Sequence, residues 1–564
     1  MRWAMAMIVA GALALPASAA AQGTSSSFAQ LTGADGCVSQ EPPLPFDDDG
    51  PVDGCARARG LLSAYSVTVS PDDKHVYVAS AGSDGIGSNA VVAFSRSGDS
   101  GALTTVGCVS DSGGDGRTGT DGFCANGDAL LGANDVEVSP DGRHVYVAAG
   151  VSNGISWLAR DTATGALTPA GCLKELPRAD RCRGGFGLEG TSGVAVSPDG
   201  RQVYVTAATP GSVGVYSRDP ETGDLQPLMC VSENGSDGVC VDGTGLLGAS
   251  SVTVAPDGRQ VFVTAGGTGA VTAYARDAAD GRLTPQSCLL DRAPKGGSCT
   301  SAPTIAGAAG SAISPDGKTL FVASLLDETL SMFARDPTTG SLTPSSCFRQ
   351  QAPEEDEEEE GEEEEEAEEA QADCKPAEAI GGLREVVVSP DGRGVFTVGG
   401  SDYLAAFRRD PASGTLTQTG CAEAERTYES CTQARAVFAG RGLAVSSDAR
   451  SLYVASASND AVAVFGASVA VTSRAAKADR RGRFAVRLAC PAARVRGCAG
   501  RLRVGAKRAR AYRVRAGASR SVRARLPKRL RRAVRRRGRV RVAVSARDSR
   551  QLMQATTRRM LVRR

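Results

Sequence analysis

The sequence predicts an all-β protein: a seven-bladed β-propeller closed by its N-terminal strand, followed by a small β-sandwich. Three observations lead there. A phrase of the form SPDGRHVYVAA (139–149) occurs seven times, its copies are evenly spaced, and the last copy is incomplete in a way that the N-terminus completes.

The copies begin at residues 70, 139, 197, 255, 314, 389 and 446. Most gaps are close to 58 residues, a period that with strand-like content means ringed or stacked supersecondary units. Each unit has the same internal order. In the second, VEVS (136–139) leads into a Pro-Asp-Gly turn, where Pro sets φ and Gly tolerates a positive one. HVYVAA (144–149), GISWLARD (154–161) and, after a Thr-Gly turn, ALTPAGC (166–172) complete four short antiparallel strands. The seventh unit stops after its third strand, DAVAVFG (460–466). The segment SFAQLTGADGCVS (27–39) reads like SGALTTVGCVS (100–110) and can serve as the missing fourth strand. Such closure removes the open sheet edges that a linear solenoid would keep.

The ends of the chain divide it further. MRWAMAMIVAGALALPASAAAQ has a leading Arg, an apolar run and an A-x-A-like site, the pattern of a signal peptide over 1–21. No later run of ~20 apolar residues is present, so no transmembrane helix is expected and the mature protein is read as secreted or envelope-associated. The propeller is assigned to 22–467, with an acidic insert at 352–373 that carries fourteen acids between 354 and 369 and is expected to be solvated. Residues 468–564 form the second domain and hold 33 Lys or Arg against two acids, Asp479 and Asp548. Its alternating apolar and polar runs suggest a sandwich, with a helix near 527–538.

Export makes the cysteines readable. There are 16, with no C-x-x-C pair, and in an oxidising compartment disulfides are the default. One pair falls at the end of each fourth strand: Cys37 with Cys55, Cys108 with Cys124, Cys172 with Cys182, Cys230 with Cys240, Cys288 with Cys299, Cys347 with Cys374, and Cys421 with Cys431. Cys490 and Cys498 pair within the basic domain. Each propeller pair should staple the loop leading to the next blade. The Gly- and Asp-rich loops 41–54, 111–122 and 233–243 could hold Ca²⁺ through oxygen ligands, or use Asp and Gly for turns. No other cofactor is expected.

The SPDG-x-x-VYVA phrase followed by RDxxTGxLT resembles the lactonase-like seven-bladed propellers, which include the propeller 6-phosphogluconolactonases and YVTN-repeat surface proteins. The resemblance spans roughly 28–467. It implies the propeller fold and a lactonase-type hydrolase whose site, built from Arg, Glu and sometimes His, sits in the central channel.

Candidate site residues come from the first strand of each unit, which lines that channel. Most of its positions are small and neutral, but three units break the pattern with Asn134, Asp135 and Glu137, with Arg384 and Glu385, and with Arg441. The candidate catalytic set is Glu137, Asp135, Arg384, Glu385 and Arg441. A carboxylate there is costly unless paired, so one reading is a structural ion-pair ring. The other is a cluster that grips or hydrolyses a small anionic or lactone ligand. His75 and His144, the only histidines, follow the first turn and are expected to be exposed. Neither a Ser-His-Asp order nor a P-loop is present. Two functions follow: a ligand-binding or scaffold protein whose partner is an anionic envelope polymer or another protein, or a lactone hydrolase acting on a lactone or sugar acid. Nucleic acid is excluded by export and by the scarcity of stacking aromatics, and the chain is expected to be a monomer.

Overall fold

The computed structural model describes residues 27–41, 54–83, 86–115, 122–175, 181–294, 297–351, 374–425, 427–428, 431–468, 470–471, 475–490, 498–504, 510–515, 518–548 and 556–563. The expected signal peptide (1–21) and the acidic insert (352–373) lie outside them.

Seven sheets form the ring. Blades 1 to 6 have inner strands Ala64–Val69, Ala133–Val138, Thr191–Val196, Ala249–Val254, Ala308–Ile313 and Leu383–Val388. In each, three further antiparallel strands follow outward in chain order. Blade 7 takes its first three strands from Gly440–Val445, Ser451–Ser456 and Ala461–Ser468. Its fourth is N-terminal: Cys37–Gln40 pairs antiparallel with Ala461–Ser468, and Ser27–Gln30 pairs farther along the same strand. The ring therefore closes by main-chain hydrogen bonds between the two ends of the propeller. The inner strands neighbour one another around the axis, that of blade 7 against that of blade 1 included.

Each blade also carries a short outermost strand that the sequence does not announce. Ala125–Asn126 pairs in parallel with the end of Leu103–Ser110, and every other blade repeats the arrangement. Two or three residues are too few to show a period of two. They pair because a disulfide folds the loop back along the fourth strand. The pairing expected from the sequence is the pairing found. Cys37 is bonded to Cys55, Cys108 to Cys124, Cys172 to Cys182 and Cys230 to Cys240. Cys288 is bonded to Cys299, Cys347 to Cys374 and Cys421 to Cys431, and Cys490 is bonded to Cys498 in the basic domain. No free cysteine remains among the described residues. In the chain-entropy account, closing a loop of ~15 residues stabilises by about 3 kcal/mol. So many disulfides fit an oxidising, extracellular or periplasmic location.

On the opposite face the blades are locked by a repeated clamp. The arginine that ends each third strand reaches back to the aspartate in the turn of the preceding blade. The pairs are Arg160–Asp72, Arg218–Asp141, Arg276–Asp199, Arg335–Asp257, Arg409–Asp316 and Arg96–Asp448, at 2.7–3.0 Å. These six guanidiniums are at most 2% exposed. Where the preceding blade has tyrosine in its VYV position, the hydroxyl completes the clamp. Arg160 Nε donates to Tyr77 Oη at 2.8 Å, and Tyr77 in turn donates to the carbonyl of Gly165 at 3.0 Å. Arg218–Tyr146, Arg276–Tyr204 and Arg96–Tyr453 repeat it.

This clamp corrects the expectation for the histidines. His75 and His144 are buried, each 3% exposed, not solvated after a turn. Their Nδ1 atoms lie 2.6 and 2.8 Å from Arg160 and Arg218 Nη2. Burial, with the neighbouring arginine, holds both imidazoles below their usual range, so they accept from the guanidinium as neutral rings. At the junction of blades 6 and 7 the arginine is replaced by Ala467. There Phe28 of the closing strand packs edge-on against Phe396, ring centres 5.0 Å apart.

In the C-terminal domain a three-stranded sheet (Ala470–Val471, Arg483–Ala489, Ser519–Arg525) and a five-stranded sheet share one core, in the arrangement of a β-sandwich. Phe484, Val486, Leu488, Leu502, Val544 and Met560 fill it. The helix Lys528–Arg537 seals one side through Val534 and ends on Gly538 in the left-handed region.

Blade 5 provides a test of the clamp. Phe321 stands there in place of tyrosine, and the buried Nε of Arg409 has no hydrogen-bond partner. Phe321→Tyr should stabilise the protein by about 1 kcal/mol, and Tyr77→Phe should cost at least about that much. Thermal unfolding of the two variants checks both signs.

Candidate functional site

The channel is lined by the seven inner strands, and each is irregular at the same place. In blade 1, Ala64 pairs with Ser80 and Ser66 with Ala79, so Tyr65 is left over as a β-bulge. The same bulge falls on Asn134, Ser192, Ser250, Ala309, Arg384 and Arg441. A bulge bends its strand and re-aims its side chain. It sits at the start of the inner strand, directly after the stapled loop, and so at the mouth of the channel. The residue that follows is pressed against the next inner strand. A Cβ on Gly310 would lie 2.5 Å from the Arg384 carbonyl oxygen, and one on Gly442 would lie 2.7 Å from Ser66 Cα. That crowding explains the glycines at 310 and 442.

Three consecutive blades place larger groups on the bulge: Arg384 (blade 6), Arg441 (blade 7) and Tyr65 (blade 1). Arg441 Nη1 donates to Tyr65 Oη at 3.2 Å, and its guanidinium lies 4.9 Å from the tyrosine ring centre. The Nε–H groups of both Arg384 and Arg441 are buried without a hydrogen-bond partner. Burial and the neighbouring Arg441 hold Arg384 below its usual value. Tyr65 is not among the residues that the sequence marks for the site. It looks like any other strand aromatic until the bulge turns it to the mouth.

The acids form a second group. Asp135 is saturated: its carboxylate accepts from Ser66 Oγ at 2.7 Å and from the amides of Val136 and Val194, each at 2.9 Å. It ties together the inner strands of blades 1, 2 and 3, although burial still raises its pKa. Glu385 accepts the amide of Val386 at 2.9 Å. Glu137 has one long contact, from Thr68 Oγ1 at 3.5 Å. Burial pushes both glutamates up to about 8, and the charge of Asp135 adds to the rise in each.

The structure thus brings together Asp135, Glu137 and Glu385 in one group, and Arg384, Arg441 and Tyr65 in another. This corrects the expectation of an ion-pair ring. Among the described residues no ion pair joins these acids to these arginines within 4.0 Å. The reason is geometric: the bulge lifts the arginines to the mouth, while the carboxyls enter the channel from regular positions below. The acids meet their desolvation by holding protons or by accepting main-chain amides. Chemically, the channel offers cationic donors without an ion-pair partner among the described residues, and carboxyls that can give or take a proton near neutral pH.

For metals, the one trio of potential ligands among the described residues is Glu378, Cys421 and Cys431, and the two sulfurs are bonded to each other. At the loop starts, Asp111 and Glu233 accept the amides of Leu130 and Leu246.

Residues 130–238 and 189–354 match the family described as "Lactonase, 7-bladed beta-propeller". The match includes Asp135 and Glu137 and ends before Arg384, Glu385 and Arg441. Among solved structures, the chain is similar to the periplasmic gluconolactonase of Pseudomonas aeruginosa: 21% identity over 72% of this chain and 97% of that one, with a TM-score of 0.46. A protein from Bacteroides uniformis described as a candidate 6-phosphogluconolactonase shows 18% identity over 68% and 89%, with a TM-score of 0.46. Kuenenia stuttgartiensis hydrazine synthase shows 15% over 74% and 99%, with a TM-score of 0.43. No curated protein sequence matches the chain.

The raised glutamates set a pH dependence. Between their ordinary value near 4.5 and about 8 the folded chain holds protons that the unfolded chain releases. Their contribution to stability is therefore complete at low pH and lost as pH rises through about 8. Glu137→Gln should gain melting temperature relative to the unmodified chain as pH goes from 5 to about 8.5. A constant difference across that range would show an ordinary, hydrated carboxylate.

Proposed function

We propose that this lactonase-like propeller is a lactone hydrolase whose site is the channel, with Tyr65, Arg384 and Arg441 at its mouth and Glu137 and Glu385 below them. The observation that carries this reading is the pair of neighbouring arginines with buried, unpartnered Nε–H groups. Buried donors normally have partners. Two left open at the mouth of a channel suit an oxygen of the substrate, where charge develops during ester cleavage. The family match favours hydrolysis over a purely scaffolding role.

In the proposed reaction a water adds to the ring carbonyl carbon and the bond from that carbon to the ring oxygen breaks. Arg384 and Arg441 stabilise the oxyanion. Glu137 takes the proton from water, because Asp135 is saturated and Glu385 already accepts an amide. The proton returns to the departing ring oxygen, giving a hydroxy acid. Only the ionised form of Glu137 serves as the base, so the rate should rise with pH and level off above about 8. Exposed apolar side chains in the loops around the mouth, Leu131, Val151, Leu247, Leu326 and Phe438, support a substrate with an apolar portion beside its lactone ring.

A panel of sugar-acid and alkyl lactones, followed by proton release, tests the proposal. Turnover of at least one lactone is expected. Glu137→Gln should lower kcat by about 10²-fold or more, and Arg384→Met should lower kcat/KM by a comparable factor. Equal turnover by the unmodified chain and both variants would overturn it.

A further inference from the structure

The C-terminal domain holds a cavity that hydrolysis does not use. It measures about 380 Å³ and lies between the helix Lys528–Arg537 and the turn at 479–482. Arg480, Arg531 and Arg535 line it, beside Val534 and Gly482. Asp479, the acid of the lining, is already engaged: it accepts from Arg483 Nε at 2.6 Å and from the amides of Arg481 and Arg483. Arg535 is held in place by a 2.8 Å bond to the Arg480 carbonyl. The stem of Arg531 crosses Gly482 so closely that a Cβ there would lie 2.3 Å from its Cδ, and Gly482 has a φ of +72°. Arg531 Nε is buried and has no hydrogen-bond partner.

The surrounding surface points the same way. Arg483 stands directly across from Arg525 and Arg539 from Arg563. Like charges opposed across strands are destabilising. A domain with 33 basic residues and two acids is not arranged this way for its own stability.

We propose that this cavity is the anchoring site of a surface that binds a linear phosphate polymer, one phosphate entering the pocket and its neighbours meeting the flanking arginines. A phosphate offers several oxygens to converging guanidiniums, whereas a carboxylate is filled by one arginine fork. The chain's own glutamate run at 354–369 is the competing occupant.

The test uses the full chain and inorganic polyphosphate as the probe, with poly-L-glutamate in parallel, measured over a range of salt. Affinity should fall steeply with salt. Arg531→Met with Arg535→Met keeps the stems and removes the guanidiniums, and should weaken polyphosphate binding about tenfold or more. The control Arg501→Met with Arg503→Met removes the same charge from an exposed strand and should weaken it only about two- to threefold. Arg535→Met alone, at an exposed position, serves should the double variant not fold. A chain lacking 354–369 that binds polyphosphate more tightly, still through the pocket, supports the site and shows the run competing for it. Equal losses in the pocket and control variants, or tighter pocket-dependent binding of polyglutamate, would overturn the proposal.

Discussion

The architecture depends on a buried guanidinium passed from one blade to the next. A blade is a small sheet with little core of its own, and it can shift against its neighbour on an apolar face. An arginine side chain at most 2% exposed, held by a carboxylate and, at five of six junctions, by a tyrosine hydroxyl or glutamine oxygen of the preceding blade, removes that freedom. Breaking such a pair strands a charge in the interior. Six junctions share the device, and the seventh closes by a strand from the N-terminus and an aromatic contact. The disulfides act on the other face, so the inner strands are held at both ends.

That rigidity lets the channel keep groups that would otherwise rearrange. The bulges and the packing of glycine against neighbouring strands hold Arg384 and Arg441 apart from Glu137 and Glu385. The glutamates then stay protonated near neutral pH and the arginines keep open donors. Both conditions cost stability, as functional sites commonly do. The C-terminal domain shows a related pattern, with a buried donor left open beside opposed like charges.

Most of the ring is legible in the sequence because the repeat is long and its turns are explicit. The blade count, the closure by 27–39 and the cysteine pairing all follow from comparing one copy with the next. What the copies share without exception is harder to see. The bulge occurs in every inner strand, so no contrast between units reveals it, and Tyr65, at the register position of Arg384 and Arg441, reads as an ordinary strand aromatic without it. The histidines mislead because a residue after a tight turn is commonly exposed. Here the arginine that buries it comes from the next blade, more than 70 residues away. Pairing of acid with arginine is the natural expectation from composition. It fails because height along the channel depends on a one-residue irregularity in the strand.

The central claim is that the channel keeps a protonated carboxyl, Glu137, without an ion-pair partner among the described residues. The most direct measurement is an infrared difference spectrum between the unmodified chain and Glu137→Gln, recorded as a function of pH. The account predicts a protonated-carboxyl band at neutral pH that is absent from the variant and titrates away near about 8. A carboxylate signature already complete at pH 6 would contradict it, and would mean that Glu137 is paired or hydrated in the channel.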